Sequence, residues 1–353
     1  MNQLLRPELD ETDLKIIREL ESNGRQSASD IAGKIGASRP TVSKKLQRLF
    51  DNHVIKIVGI TAPLSLGYET QAFIGIDVEP GTVADVAKRL ASYDLTHMVA
   101  IIAGRNDILV WGLFHNTREM SAFAIQELGK MWGIKKTETM LILGIKKESF
   151  AYLELNDSPS YRNEVPIMAH HSYPELDSLD LELMAALERD GTLPISDLAT
   201  KLKSSRPTIR AKLQRLQKNR CIRIVALASP PALGYQLRAL IGVNVPPSGI
   251  DSVADALKLY PNVHSITVTA GRFDLMLMVL ARDTEELSTF LRHNLGALSD
   301  ITNTEIMVLM DVQKYTYSLL NKSTGPNDHD ESISRKKMSG PKRDHSPATF
   351  VRS

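Results

Sequence analysis

The N-terminal segment carries apolar residues at helical spacing. In "LDETDLKIIRELESNGRQ" the residues Leu14, Ile17 and Leu20 share one face. Asp10 stands ahead of them as an N-cap, Asp13 adds negative charge to the first turn, and Gly24 follows as a stop. "SASDIAGKIG" predicts a shorter helix with Ile31, Ala32 and Ile35 inward and Gly36 at its end. "ASRPTVSKKLQRLFDNHVI" predicts a third, with Val42, Leu46 and Leu49 in one stripe. Ser38 caps it, and Pro40 falls in the first turn, where a missing N–H costs little.

The period then shortens to two. "VIKIVGITAP" and "ETQAFIGIDV" predict strands, the second with Ala72, Ile74, Ile76 and Val78 on one face. "TVADVAKRLASY" is an amphipathic helix led by Val83, Val86, Ala87 and Leu90. "HMVAIIAG" and "DILVWGLF" flank a turn at Gly104–Asp107. "TREMSAFAIQELGKM" predicts a helix capped by Thr117, and "TETMLILGI" a closing strand. Without the lead-in strand this order is β-α-β-β-α-β, the ferredoxin-like arrangement. One sheet packs on two helices, and its other face stays open for a second copy.

That second copy lies in the same chain. Sliding Leu9 onto Leu176 aligns the sequence through Leu153 on Leu320 without a gap. Leu66-Gly67-Tyr68 falls on Leu233-Gly234-Tyr235, and Ala103-Gly104-Arg105 on Ala270-Gly271-Arg272. The period is far longer than that of a solenoid repeat, so a whole module is duplicated. The fold class is therefore α+β: two copies of a helix-turn-helix, expected to be winged, each followed by a ferredoxin-like domain. The expected boundaries are 1–61 and 62–153, a linker at 154–175, then 176–228 and 229–320, and a basic tail at 321–353. The linker is rich in Pro, Ser and Asn and its 22 residues reach about 70–80 Å when extended. The tail has almost no large apolar residues and is expected to be disordered.

Charge sharpens the picture of the third helix of each copy. Opposite the apolar stripe lie Pro40, Thr41, Ser43, Lys44, Gln47 and Arg48. The second copy presents Pro207, Thr208, Arg210, Ala211, Gln214 and Arg215, and Lys203–Arg223 contains eight Lys/Arg and no acid. With Ser38, Arg39, Ser205 and Arg206 at the helix starts, and without Ala211, these are the candidate DNA-contacting residues. Ser43-Lys44 becomes Arg210-Ala211, which predicts two dissimilar half-sites, since arginine can grip guanine through two hydrogen bonds. A solvated charged face is the alternative.

Bulk properties add limits. Net charge over 353 residues is only +2, so any nucleic-acid affinity must come from local clustering. A single cysteine, Cys221, excludes an internal disulfide framework. No apolar run is long enough to span a bilayer, and the N-terminus has no signal-peptide core, so a cytoplasmic protein without membrane contact is expected.

The segments "LDETDLKII", "SRPTVSKKLQRL", "NHVIKIVGITAPLSLGY" and "AGRNDILV", each with a second version, resemble the Lrp/AsnC (feast/famine) transcriptional regulators. The resemblance covers everything except linker and tail. It implies DNA-binding dimers whose tails pack sheet to sheet and often bind a small effector, typically an amino acid. The family chain usually holds one copy, so two copies suggest that one chain mimics the dimer; pairing of each half with another chain is the alternative. For the effector, the resemblance points to Gly104, Arg105, Asn106 and Asp107, and to Gly271, Arg272, Phe273 and Asp274, at the junction of paired tails. A hairpin that needs Gly and Asp for its turn is the structural alternative.

The remaining residues of chemical interest carry less. His97 and His264 are equivalent, but no second ligand stands at metal spacing, so a structural or surface role is expected and no metal or cofactor. His170-His171 belongs to the linker, and Cys221 replaces Val54 as a small core residue. Met276, Met278, Met307 and Met310 are expected to pack, and Trp111 and Trp132 lack repeat partners. No phosphate-binding, dinucleotide, zincin or nucleophile-elbow motif is present, and no enzyme activity is expected. The alternative is a sirohaem-decarboxylase-like enzyme, whose members resemble this family. It would require basic, histidine and aromatic residues around the tail cleft, whereas "HMVAIIAG" and "HSITVTAG" are mostly apolar.

Overall fold

Each head folds around a capped first helix. In the computed structural model, which describes residues 8–153 and 173–321, α1 runs Glu11–Ser22 and begins in a capping box. The Asp10 carboxylate accepts the Asp13 N–H while the Asp13 carboxylate accepts the Asp10 N–H, so two orphan donors are satisfied reciprocally. α2 (Ala28–Ile35) starts in a second capping box from Ser27 and ends on Gly36 in the left-handed region. α3 (Arg39–Asp51) has Ser38 as its cap and Pro40 in its first turn, and buries Val42 and Leu49 while Leu46 is half-buried. The second head repeats this as α6 (Ser178–Arg189), α7 (Ile195–Lys201) and α8 (Arg206–Lys218).

The strands after the heads do not form separate wings. β1 (Ile55–Thr61) pairs antiparallel with β6 (Ile222–Ala228) of the other copy. Val58 lies opposite Val225, its own repeat partner, so a pseudo-twofold axis passes between them. The heads are cross-braced on this ribbon. α1 buries Ile16, Ile17 and Leu20 in a cluster that includes Ala226 and Ala228 of β6. Gly24 abuts the Val225 backbone and Gly191 the Ile57 backbone, where an added Cβ would come within 3.1 and 3.0 Å.

In each tail the predicted order is present: β2 (Thr70–Val78), α4 (Val83–Ala91), β3 (Thr96–Ala103), β4 (Ile108–Phe114), α5 (Thr117–Ala122) and β5 (Ile134–Glu148). The second tail supplies β7 (Leu237–Asn244), α9 (Ile250–Lys258), β8 (Val263–Ala270), β9 (Leu275–Ala281), α10 (Thr284–Thr289) and β10 (Asn303–Tyr315). The tails do more than stack. β10 pairs with β3 and β5 with β8, reciprocally, closing one barrel in the order β10-β3-β4-β2-β5-β8-β9-β7. Closure removes the free sheet edges that a lone tail would expose. Phe73, Met98, Met140, Leu240, Phe273 and Met307 fill the space between the two tails. The halves therefore pair with each other within one chain.

Several local expectations need correction. The fifth helix is capped by Asn116, not Thr117, because the Asn116 side chain accepts the Glu119 N–H; Thr117 is its first residue. That helix widens at Phe123–Glu127 and tightens at Leu128–Lys130, so it is not one regular α-helix. Met276 and Met307 are buried, but Met310 is 66% exposed on the outer face of β10 and does not pack. Cys221 is buried as expected. Nearly all of the linker, with His170-His171, and the tail from 322 onward lie outside the described residues.

Candidate functional site

The outer faces of α3 and α8 present the sequence-predicted residues to solvent. Ser38, Arg39, Pro40, Thr41, Ser43, Lys44, Gln47 and Arg48 are exposed, as are Ser205, Arg206, Pro207, Thr208, Arg210 and Gln214; Arg215 is half-buried. Not all of these side chains are available. Ser38 and Ser205 cap their helices and touch the hydroxyls of Thr41 and Thr208 at 2.8 and 2.7 Å. Gln47 donates to Asp51 at 2.8 Å. Arg48 pairs with Asp13 and Arg215 with Asp180, both acids wholly buried. Lys45 and Lys212 complete each cluster, at 3.1 Å from the same two acids. These four cations pin the recognition helix to the first helix of its head. For Arg39, Lys44, Arg206 and Arg210 no ion pair is seen among the described residues, so their charge is directed outward.

The hairpin turns sit at the junction between the tails. Gly104 lies against Ile306 and Met307, and Gly271 against Thr139 and Met140, close enough that an added Cβ would crowd the opposite half. Both aspartates are employed by the turn itself. Asp107 accepts the Val78 N–H at 2.9 Å, and Asp274 accepts the Val245 N–H at 3.0 Å. Arg105 faces Glu138 at 3.7 Å, Arg272 pairs with Glu305 at 2.6 Å, and Asn106 donates to Asp77 at 2.8 Å. Phe273 is buried against Gly242, in the place Asn106 takes against Gly75. These bonds engage Arg105, Asn106, Asp107, Arg272 and Asp274 within the chain itself.

A different site emerges between the β1/β6 ribbon and the barrel. It is a cavity of about 520 Å³, within the usual range for small-molecule sites. Its walls bring together residues from both halves: His97 and His264, Trp111, Tyr152, Tyr315 and Tyr317, with Arg220, Arg223 and Arg238. The histidines are buried, so a surface role is excluded. His97 meets the edge of Trp111 at 4.8 Å, and His264 packs on Tyr152 at 4.7 Å. Burial, aided by Lys314 near the first and Lys147 near the second, holds both imidazoles down at about 3, so they are neutral at pH 7. Burial also raises the Glu148 carboxyl despite Arg223 nearby. The expectation that the cleft lacks basic and aromatic groups is thus overturned. Those groups come from β4 (Trp111), β7 (Arg238), the end of β10 (Tyr315), the ribbon and the turn before it (Arg223, Arg220) and the segments after β5 and β10 (Tyr152, Tyr317), not from β3 and β8, and no spacing in the sequence links them. Trp111 gains its account here; Trp132 is exposed and the structure gives it none.

Glu21 joins the cavity to the first head. It lies in the last turn of α1, lines the cavity and accepts the N–H groups of Tyr152 and Leu153 at 2.9 and 3.2 Å. Glu188 repeats the clamp on Leu319 and Leu320. Burial pushes Glu21 up to about 8, outweighing those two bonds. Between its ordinary value and 8 the folded chain holds a proton that the unfolded chain has lost, so stability falls as pH rises through that window. The histidines act oppositely: their stabilising effect is lost as pH drops from about 6.5 toward 3. Denaturant midpoints followed from pH 5 to 9 are expected to peak near neutrality. In Glu21→Gln the alkaline decline becomes shallower, by at most about 1.4 kcal/mol per pH unit, while the acid decline persists. An unaltered alkaline slope would refute this assignment.

Among the described residues no group of three or more His, Cys, Asp or Glu could hold a metal ion, and no helix is long and apolar enough to cross a membrane. Comparison with known proteins gives a consistent result. The family model described as the AsnC-type helix-turn-helix domain matches residues 9–49 and 176–217. The Lrp/AsnC ligand binding domain matches 71–152 and 238–319. An uncharacterised HTH-type transcriptional regulator of Pyrococcus furiosus is 36% identical over 144 residues, covering 40% of this chain and 97% of that protein. The leucine-responsive regulatory protein of Rhizobium meliloti is 30% identical over 152 residues, 41% of this chain and 96% of its own. Among solved structures, the siroheme decarboxylase NirDL superposes with a TM-score of 0.62 over 88% of this chain and 96% of that one, at 14% identity. At that identity the likeness is one of fold.

Proposed function

Since the chain belongs to the Lrp/AsnC family, with both of the family's domains present twice, we propose that it is a sequence-specific DNA-binding transcriptional regulator of the cytoplasm. One chain serves as a complete pseudo-dimer, and its two heads read dissimilar half-sites. The observation that carries this reading is the pair of cross-braced heads, each with an outward cationic helix, fixed on one ribbon. Such a scaffold sets the spacing of the heads before DNA arrives and so lowers the entropy lost on binding. Arg39, Lys44, Arg206 and Arg210 supply the phosphate and base contacts, while Arg48 and Arg215 act chiefly inside the heads. We assign the chain no catalytic step.

Gel retardation tests this. The full chain is expected to retard duplex DNA with an affinity that falls steeply with salt. Replacing Arg39, Lys44, Arg206 and Arg210 together by alanine is expected to flatten the log–log salt slope by about 3–4, if each contacts a phosphate. Absence of retardation at low salt would contradict the proposal.

A second reading, a tetrapyrrole enzyme in the manner of siroheme decarboxylase, is favoured by the histidines, arginines and tyrosines around the cavity. It predicts coloured protein after incubation with an iron tetrapyrrole, together with loss of the substrate's carboxyl groups. The regulator reading predicts neither turnover nor any need for it.

A further inference from the structure

Four buried polar atoms in the walls of the ribbon–barrel cavity have no hydrogen-bond partner among the described residues: Gln71 Oε1, His97 Nδ1, Trp111 Nε1 and His264 Nε2. Gln71, His97 and His264 are each more than nine-tenths buried. A buried polar group without a partner costs about 1–3 kcal/mol. Four gathered in one cavity mark a place where another molecule, water or ligand, completes the bonding. We infer that this cavity is a ligand site, separate from the hairpin turns, and that it takes a flat, largely apolar organic acid bearing a second, hydrogen-donating group.

The chemistry follows from the walls. Phe73, Met98, Leu113, Leu240, Met278 and Leu309 line it with apolar surface, and the rings of Trp111 and Tyr152 favour a flat body. Its charged lining is cationic at neutral pH. Three arginines, Arg220, Arg223 and Arg238, line it, whereas burial holds Glu21 and Glu148 toward the protonated form. A carboxylate on the ligand answers that excess. The Trp111 N–H can only donate and Gln71 Oε1 can only accept, so the ligand must offer both an acceptor and a donor. The neutral His97 ring adapts to either by choice of tautomer, whereas the bond from His264 to the Ser149 backbone leaves its Nε2 as an acceptor.

The site also has a route to the heads. Tyr152 packs on His264 with its ring and holds Glu21 of α1 with its N–H. On the regulator reading, occupancy of the cavity would therefore change how firmly the first head is clamped. Only this consequence rests on that reading; binding itself does not.

The test uses the full chain carrying Trp132→Phe, which leaves Trp111 as the one tryptophan, and 6-hydroxy-2-naphthoate as the probe. Calorimetry is expected to show saturable binding, and the Trp111 indole N–H resonance to move as it gains an acceptor. 2-Naphthol, which lacks the carboxylate, is expected to bind at least tenfold more weakly. Gln71→Leu is expected to weaken the probe at least tenfold without lowering the melting temperature of the free chain, because it removes an unpartnered polar atom. His264→Phe, which keeps a flat ring, is expected to weaken it as well. No heat and no indole shift at millimolar probe would overturn the inference. So would affinities unchanged in both variants, and equal binding of 2-naphthol would overturn the acid class. Retardation of DNA by the same preparation is recorded in parallel. A chain that binds DNA and ignores the probe loses this inference alone; one that takes the probe and leaves DNA free loses the regulator reading alone.

Discussion

Removing Lys45 and Arg48 together is expected to destabilise the first head by about 3–5 kcal/mol, the usual cost of stranding a buried charge. Asp13 has no exposed surface, and its carboxylate is satisfied by Lys45, by Arg48 and by the Asp10 N–H. In Lys45→Ala/Arg48→Ala only the backbone bond remains, and the carboxylate must stay charged without a counter-ion or take up a proton. Adding Asp13→Leu to that pair is expected to restore much of the stability, since it removes the stranded charge itself. Hydrogen exchange resolved by segment checks this. Amides of α1–α3 should lose protection in the double variant and regain it in the triple, while α6–α8, held by Asp180, Lys212 and Arg215, stay protected. An arginine that served only DNA would leave head protection unchanged when removed.

That outcome bears on what the sequence disclosed. Arg48 falls on the polar face of a helical wheel, and its exposure agrees with that placement. The wheel cannot register Asp13, because the two meet through tertiary packing across two helices. Head and tail elements were legible because each rests on local signals, namely the Asp10 and Ser38 caps, the early Pro40 and strict alternation through Ala72, Ile74 and Ile76. The duplication itself foretold a self-complementary pairing, which Val58 opposite Val225 displays. The cavity was not legible. Gln71, Tyr152, Arg223 and Tyr317 stand far apart in sequence and become neighbours only when the ribbon closes over the barrel. Their repeat partners give no help, because Gln71 corresponds to Arg238 and Tyr152 to Leu319, so the pseudo-twofold relates unlike chemistry there.

The second large effect concerns specificity. Arg210→Ser with Ala211→Lys gives head two the outward residues of head one at these positions. If Arg210 grips a guanine through two hydrogen bonds, its loss costs about 1–3 kcal/mol at one base pair and nothing at the other half-site. The exchanged chain is expected to prefer an operator whose second half repeats the first in inverted orientation. Stability should barely change, because both positions are exposed and distant from the Asp180 cluster. Competition between matched and mismatched duplexes at fixed salt measures the shift, since affinities at unequal salt are not comparable.

Selection of bound sequences from a random duplex pool by the unaltered full chain distinguishes one chain with two unlike heads from a symmetric pair of chains. One pseudo-dimeric chain with unlike heads predicts an enriched site of two different half-sites in fixed order and spacing, occupied by a single chain. Enrichment of a perfect palindrome bound by two chains would contradict it, since each half would then be pairing with the same half of another molecule.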